Sequence, residues 1–207
     1  MARVRKTVIS PRKQPRQARS TRLVGDILEA AARVLVRGGA HRFTTARVAE
    51  AAGISVGSLY QYFPNKESIL FRLQAQEWEQ TMGELRRVLS DRSVAPLERL
   101  RAAVKMYFRS ECDEAAFRSA LEEAAPLYRE APESREHAQE GRELMESFVR
   151  EALPRASARQ RAFAADLIGV VISSTGKAIS SQNRSRSEVD DLAMGISEML
   201  CSYLETH

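Results

Sequence analysis

Helical periodicity along nearly the whole chain is the feature that most restricts how this sequence can fold. Apolar residues recur every three or four positions, and no window shows the sustained alternation of β-branched and polar residues that is typical of strands. Hydrophobic residues make up 43% of the 207 positions, which is enough to form a core. The sequence therefore predicts an all-α protein with about nine helices.

Glycine, proline and capping residues indicate where these helices end. Gly38 and Gly39 end a first helix that begins near Thr21, and Pro64 stops a short helix just before Asn65, which can cap a long one. The expected helices cover approximately residues 21–37, 45–52, 56–62, 66–90, 96–111, 114–125, 133–153, 157–181 and 187–205.

Positive charge is concentrated near the N-terminus. Residues 1–66 carry a net charge of +10, whereas the remainder carries −5. The first 22 residues contain eight basic side chains and no acidic one, and residues 1–19 hold two prolines and few apolar side chains, so they are expected to form a flexible basic arm. A basic end on a mildly acidic body indicates binding to a polyanion, although a solvated tail is the alternative for the arm.

Several classes of protein are disfavoured by what the sequence lacks. Cys112 and Cys201 have no metal-ligand spacing and form no disulfide framework, which favours a reducing cytoplasm. The longest apolar run, residues 167–172, is too short to span a bilayer, and no secretory signal is apparent. The three histidines are scattered, and no nucleophile elbow, phosphate loop or metal motif occurs. We therefore expect no catalytic activity, no cofactor, no metal and no membrane partner.

The segment from Phe43 to Phe63 has the pattern of two short helices joined by a tight turn. Thr44 and Ser55 are suited to cap the two helices, and Gly53 stands where the turn needs a positive φ. The positions expected to face inward are Val48, Ala49, Ala52, Ile54, Leu59 and Phe63. A helix this short is unstable alone, so its neighbours must hold it while its outer face stays free. Recognition helices lie in a major groove in this way, and a helical corner without a ligand is the alternative.

This segment resembles the TetR family of transcriptional regulators. The resemblance covers residues 20–70 and is carried by the Ala-Gly-Ile-Ser turn at 52–55, the Leu-Tyr-Gln-Tyr-Phe run at 59–63 and the Asn-Lys-Glu-Ser-Ile-Leu sequence at 65–70. It implies a helix-turn-helix DNA-binding domain over residues 20–66 and an effector-binding and dimerisation domain over residues 67–207.

The resemblance also implies a function and partners. The expected protein is a homodimeric repressor that binds double-stranded DNA and is released from a palindromic operator by a small apolar or amphipathic ligand. A DNA-binding protein with an architectural or effector-independent role is the alternative.

Nine residues are DNA-binding candidates by this resemblance. The phosphate contacts are expected from Thr45, Tyr60, Lys66 and, as a further candidate, Tyr62. The groove is expected to receive Val56, Gly57, Ser58 and Gln61. Gly57 would let the helix backbone approach DNA, and Ser58 and Gln61 offer hydrogen bonds to base edges. Arg47 is a candidate for either a phosphate or a base.

Two further sets of residues belong to the expected effector and dimerisation domain. The helix over residues 157–181 is apolar on more than one side and therefore needs two partners. The resemblance implies that this helix and the last one pair with a second copy, through Leu167, Ile168, Val171, Ile172, Ile196, Met199, Leu200 and Tyr203. The expected ligand pocket is lined by Trp78, Met82, Met106, Tyr107, Phe108, Phe117, Leu121, Met145, Phe148 and Ile172.

Overall fold

Nine α-helices account for most of the chain in the computed structural model, which describes residues 18–128 and 132–206. Within these ranges no strand occurs, so the predicted all-α fold is confirmed. The helices are α1 (Ala18–Gly38), α2 (Thr45–Ala51), α3 (Val56–Tyr62), α4 (Lys66–Leu89), α5 (Pro96–Asp113), α6 (Ala115–Ala124), α7 (Pro132–Ala152), α8 (Ala158–Ser180) and α9 (Arg186–Glu205).

The helix boundaries differ from the predicted ones by only a few residues. The largest shift is at α1, which begins at Ala18 rather than near Thr21; residues 1–17, most of the predicted arm, lie outside the described residues. Two short 3-10 turns, Ala40–Arg42 and Ala125–Leu127, were not predicted. The starts of α8 and α9 have a sequence signal, because Ser157 with Gln160 and Ser185 with Glu188 form capping boxes.

The first of two compact units contains α1, α2, α3, the part of α4 up to Glu77, and α6. Its apolar core joins side chains from all of these helices, among them Ile27, Leu35, Val48, Leu59, Leu70 and Leu121. Because α6 contributes Leu121 and Ala124 to this core, a helix far away in sequence is packed into the unit that carries the short helices.

Polar contacts also attach α6 and the residues after it to this first unit. The carboxylate of Glu77 on α4 lies 3.1 Å from the guanidinium of Arg118, and both side chains are largely buried. The hydroxyl of Tyr128 donates to the carbonyl of Leu121 at 3.1 Å and lies 3.3 Å from Oε1 of Gln74. Glu123 accepts a hydrogen bond of 3.4 Å from the backbone N–H of Ala40 after α1. The sequence carried no signal for these contacts, because they join residues 41 to 83 positions apart or depend on the α6 placement.

The second unit contains Trp78–Ala115 and Glu136–His207, and α5 packs against both α8 and α9 within it. Its core includes Leu100, Phe108, Phe148, Ile168 and Leu200. The approach of α5 to α8 is close: a Cβ atom added to Gly176 would lie 2.8 Å from Cε1 of Tyr107. Gly176 therefore permits this crossing.

A buried arginine holds the C-terminal end of α4. Arg99 on α5 is 1% exposed, and its guanidinium donates to the carbonyl of Leu89 at 2.6 Å and to the carboxylate of Glu151 on α7. The Leu89 carbonyl has no partner within its own helix, so a cation at this position is favourable. The hydrogen bond from Arg99 lowers the pKa of Glu151, which keeps this carboxylate charged beside its partner.

Candidate DNA interface

Local capping and one glycine set the geometry of the two short helices. The hydroxyl of Thr44 accepts from the backbone N–H of Arg47 at 3.3 Å, and that of Ser55 accepts from the N–H of Ser58 at 3.0 Å. Gly53 has a φ of 68°, in the left-handed region that favours glycine. Asn65 caps α4 by accepting from the N–H of Ser68 at 2.8 Å. The predicted caps and turn are therefore confirmed.

The inner sides of α2 and α3 are buried as predicted. Val48 and Leu59 are completely inaccessible, and Ala49 and Phe63 are 1% exposed. Ala52 and Ile54 are half-buried against the same core. Since α3 has only seven residues, its position depends on this packing rather than on its own helical stability.

The outer side of α3 is open to solvent. Val56 and Tyr60 are 38% and 40% exposed, and Gly57 and Gln61 are also exposed. Ser58 is half-buried and its hydroxyl lies 2.9 Å from that of Ser55. Four of the six candidates on this helix, Val56, Gly57, Tyr60 and Gln61, are thus exposed to a partner.

The other candidates surround this exposed side. The hydroxyls of Thr45 on α2 and Tyr60 on α3 lie 3.1 Å apart, so two residues assigned to phosphate contacts come together. Arg47 is exposed, and its guanidinium donates to the carbonyl of Arg42 at 3.0 Å. Lys66, half-buried, begins α4. Tyr62 is also half-buried and packs against the core, which leaves it less surface for DNA than Tyr60 has.

The predicted dimer residues divide into buried and exposed positions. Ile168, Ile172 and Leu200 are at most 7% exposed in the single chain, so they have little surface left to bury against a second copy. Leu167, Val171, Ile196 and Tyr203 are half-buried, and only Met199, 53% exposed, projects into solvent. In the single chain these three side chains belong to the core, and their assignment to the interface stays a prediction.

The interface predicted from the sequence does not include three exposed apolar residues on α8 and α9. They are Phe163, Val170 and Met194, which are 60%, 53% and 57% exposed. Phe163 and Val170 are seven positions apart and share one face of α8, whereas Ile168 and Ile172 share another. The spacing was visible in the sequence, but it did not show which of the two faces packs inside the chain. We call Phe163, Val170, Met194 and Met199 the exposed apolar residues of α8 and α9.

The predicted pocket residues are divided between the two units. Phe117 and Leu121 belong to the core of the first unit, and the other eight lie in the second. Of these, Phe108, Phe148 and Ile172 are core side chains with exposures of 7% or less, while Trp78 is half-buried beside Gly141. Aromatic and sulfur-containing residues at helical spacing thus indicated core packing more than an open cavity.

A cavity of about 490 Å³ lies instead against polar residues of α4 and α5. Its lining includes Gln80, Glu84, Lys105 and Arg109, and Met106 is the one predicted pocket residue in it. Lys105 and Arg109 both pair with Asp190 on α9, and the hydrogen bond from Arg109 is the main reason that the pKa of Asp190 falls to about 2. One carboxylate of the same chain thus pairs with both cations at this groove and offsets one of their two charges.

Metal ligands and membrane-spanning helices each have a recognisable arrangement of residues. In the described part of the chain, no group of three His, Cys, Asp or Glu side chains is arranged to hold a metal ion. One described helix, α8, has the length and composition of a membrane-spanning helix, and 33% of its most apolar window is buried. Core helices of soluble proteins have the same properties, so a single helix of this kind is weak evidence for a membrane protein.

Two family models match the chain. One, described as tetracyclin repressor-like, C-terminal domain, matches residues 95–206, which is more than half of the chain and includes α8. The other, described as bacterial regulatory proteins, tetR family, matches residues 27–73. The matched ranges contain both the short helices and the α8–α9 pair.

The match to an individual relative covers less of the chain than the family models do. The fatty acid metabolism regulator protein of Bacillus subtilis (strain 168) is 29% identical over 82 residues, which are 40% of this chain and 42% of that protein. The chain thus matches about two-fifths of the length of this relative.

Solved structures with this fold cover more of the chain. The fatty acid degradation regulator FadR from Bacillus halodurans has a TM-score of 0.72 at 18% identity and covers 91% of this chain and 97% of its own. FadR from Bacillus subtilis in complex with stearoyl-CoA has a TM-score of 0.66 at 18% identity and covers 86% and 97%. At these identities, the likeness shows a shared fold.

Proposed function

The chain belongs to the TetR family of bacterial transcriptional regulators, and we propose that it is a repressor that binds a palindromic operator as a homodimer and is released by a small apolar or amphipathic ligand. The observation that carries the proposal is the open outer face of α3, which is held in place by buried residues of α2, α4 and α6. A rigidly supported short helix with a free face fits a major groove.

The residues around α3 divide into two proposed roles. Thr45, Tyr60 and Lys66 contact phosphates, and their positions at the ends of α2, α3 and α4 support this because they flank the exposed face. Val56, Gly57, Ser58 and Gln61 enter the groove, with Arg47 beside them. Residues 1–19 act as a basic arm that adds affinity without sequence preference, because phosphate contacts do not depend on base sequence.

Selection of binding sites from random duplex DNA tests this role. We expect enrichment of a palindrome whose half-site centres are about one helical turn, or a multiple of it, apart. Lys66→Ala and Tyr60→Phe should weaken binding to all DNA sequences about equally, because they remove phosphate contacts. They should also reduce the salt dependence of the DNA affinity. Enrichment of no sequence would leave an architectural DNA-binding protein as the better description.

The homodimer is proposed to form through exposed apolar residues of α8 and α9. These four large side chains are each more than half exposed in the single chain, and a second copy placed on a twofold axis would cover the same residues on both subunits. This also explains why α8 is apolar enough to resemble a membrane span: one face lies in the core and another is covered by the second subunit. We accordingly place the protein in the cytoplasm.

A ligand with a fatty-acyl chain is the proposed effector. The support is indirect: a relative that matches part of the chain regulates fatty acid metabolism, and a solved structure with this fold contains stearoyl-CoA. The family is one of regulators, and we propose no catalytic role for this chain. Residues 67–207 are proposed to bind the effector and to dimerise, whereas residues 20–66 contact DNA.

Fluorescence of Trp78, the single tryptophan, tests ligand binding directly. This indole is half-buried on α4, 3.5 Å from the position of a Cβ on Gly141 of α7, so a ligand that separates these helices should change its emission. Titration with acyl-CoA esters of increasing chain length is expected to give a saturable change. Operator DNA should weaken this binding by the factor by which the ligand weakens operator binding, because coupling is reciprocal.

One observation favours the effector-independent alternative. Phe108, Phe148 and Ile172 are buried, and most of the residues that line the cavity of about 490 Å³ in the second unit are charged or polar. If no acyl-CoA, fatty acid or hydrophobic drug changes Trp78 emission or operator affinity, the regulator acts without such a ligand.

A further inference from the structure

The part of α3 most distant from the core consists of Gly57 and Gln61. At about 100° per residue, both lie roughly 160–200° around the helix from Leu59, which is completely buried. Val56 and Tyr60 lie to one side of this line, and Ser58 and Tyr62 to the other. When the outer face of α3 enters a groove, as the proposed function requires, Gly57 and Gln61 are therefore the first residues to meet base edges.

The polar groups on either side of Gln61 already have partners within the chain. The Tyr60 hydroxyl lies 3.1 Å from that of Thr45, and the Ser58 hydroxyl lies 2.9 Å from that of Ser55. Val56 has no polar side-chain atom. Gln61 is exposed, and its amide forms no hydrogen bond with any other residue between 18 and 128 or between 132 and 206. It is thus the polar group on the outer face of α3 that is free to bind a base.

Gly57 determines how near this amide can come. The nearest atom to a Cβ at this position would be Oγ of Ser55 at 3.8 Å, which is an ordinary contact, and the backbone here has no positive φ. No packing or conformational reason within the described chain therefore requires glycine at this position, although glycine weakens a helix. The missing side chain at Gly57 leaves a flat surface one turn before Gln61, where a base pair can approach the backbone.

An amide presents one donor and one acceptor side by side, and this restricts its complement. In the major groove adenine offers an acceptor at N7 next to a donor at N6, whereas guanine offers two acceptors, cytosine one donor and thymine one acceptor. We propose that Gln61 recognises an adenine in each half-site through paired hydrogen bonds to N6 and N7, and that it is the main base-recognising side chain of α3. This inference rests on the proposed function, since it specifies what α3 recognises.

Binding-site selection with the full-length protein and two Gln61 variants tests the proposal. The unmodified protein should require an adenine at one position of each half-site, and Gln61→Ala should lose this requirement while it keeps the rest of the site. Gln61→Arg should change the preferred base at that position to guanine, because a guanidinium donates to O6 and N7. Replacing the adenine in the selected site should weaken the unmodified protein by about 5- to 150-fold per half-site and should have little effect on Gln61→Ala.

Controls separate this proposal from the more general one. Gln76→Ala removes an exposed glutamine amide from α4 and should leave affinity and base preference unchanged. Ser58→Ala, which removes a hydroxyl 2.9 Å from that of Ser55, should keep the adenine requirement that Gln61→Ala loses. A selected palindrome whose base preferences are the same for the unmodified protein and Gln61→Ala would overturn the role of Gln61 but not the proposed function. Absence of any selected palindrome would instead overturn the proposed function.

Discussion

The segment that carries α2 and α3 and the helix pair α8–α9 differ in how their residues acquire their positions. In the first segment the polar contacts are local: Thr44 caps α2 and Ser55 caps α3, each across three residues. In the second unit, Arg109 on α5 bonds Asp190 on α9 across 81 residues. The short helices have one buried side, whereas α8 has both a buried face and an exposed apolar one.

This difference teaches when a sequence pattern identifies the role of a residue. A short helix with one apolar side leaves only one orientation in which that side is buried, so its outer residues follow directly. A long helix that is apolar on two faces has two such orientations, and only its packing partners select between them. Four variants test this contrast, beginning with the largest expected effect.

Val170→Glu should have the largest effect. Val170 is 53% exposed in the single chain, so a carboxylate there is tolerated in a protomer but not against a second copy. We expect monomers, and a fall in operator affinity of about 10²- to 10⁴-fold because the two half-sites are no longer bound by one linked pair. Sedimentation velocity and fluorescence anisotropy with labelled operator measure both effects.

Ser147→Glu, an exposed position on α7, is the control for added negative charge. It should remain dimeric with unchanged operator affinity. A Val170→Glu protein that is still a dimer would show that this face of α8 is not the interface.

Ile168→Ala should destabilise the protomer itself. Ile168 is completely buried, and removing its branched side chain from a packed core costs about 2–5 kcal/mol of unfolding free energy. Val170→Ala, on the opposite side of α8, should instead cause a loss of stability that depends on protein concentration, because Val170 acts on the dimer. Urea denaturation at several protein concentrations distinguishes the two. Equal, concentration-independent losses would remove the distinction between the two faces.

Gly57→Ala should change stability and DNA binding in opposite directions. Alanine in place of a helical glycine stabilises by about 0.5–1 kcal/mol, and the space around Gly57 accommodates a methyl group. Against DNA the same methyl group is expected to cost about 1–3 kcal/mol of binding free energy, as overpacking does in a closely packed region. Gly83→Ala on α4, where a Cβ meets nothing within 4 Å, should be stabilising with unchanged operator affinity. Unchanged DNA binding by Gly57→Ala would contradict the close approach of α3.

Asp190→Asn should have the smallest effect, and its size depends on pH. The pKa of Asp190 is lowered to about 2 in the folded protein, chiefly by the hydrogen bond from Arg109. A lowered pKa means that the charged pair stabilises the fold above about pH 4 and that this contribution is lost as the pH falls towards 2. The variant should therefore be slightly less stable at neutral pH and should lose less stability between pH 4 and pH 2. If the free energy of unfolding falls in parallel for the two proteins between pH 4 and pH 2, the Asp190–Arg109 pair contributes nothing to stability.

The sequence by itself determined the helix-turn-helix and most helix boundaries. Thr44, Gly53, Ser55 and Asn65 act within one turn of where they stand, so their roles follow from the local order of residues. Which residues lie inside α2 and α3 also followed from the sequence, since Leu59 and Phe63 are the apolar pair of a short helix. For the same reason the outer residues of α3 could be identified in advance.

Only the tertiary structure decided which contacts join distant parts of the chain. It placed α6 in the core of the first unit, buried Arg99 beside Leu89 and Glu151, and divided α8 into a core face with Ile168 and an exposed face with Val170. Apolar periodicity predicts that a helix face is covered, but it does not identify the element that covers it. The reason is that the hydrophobic effect is non-directional and depends on the area removed from water. The partner is chosen by shape and packing among all helices at once, and this information does not reside in any single segment.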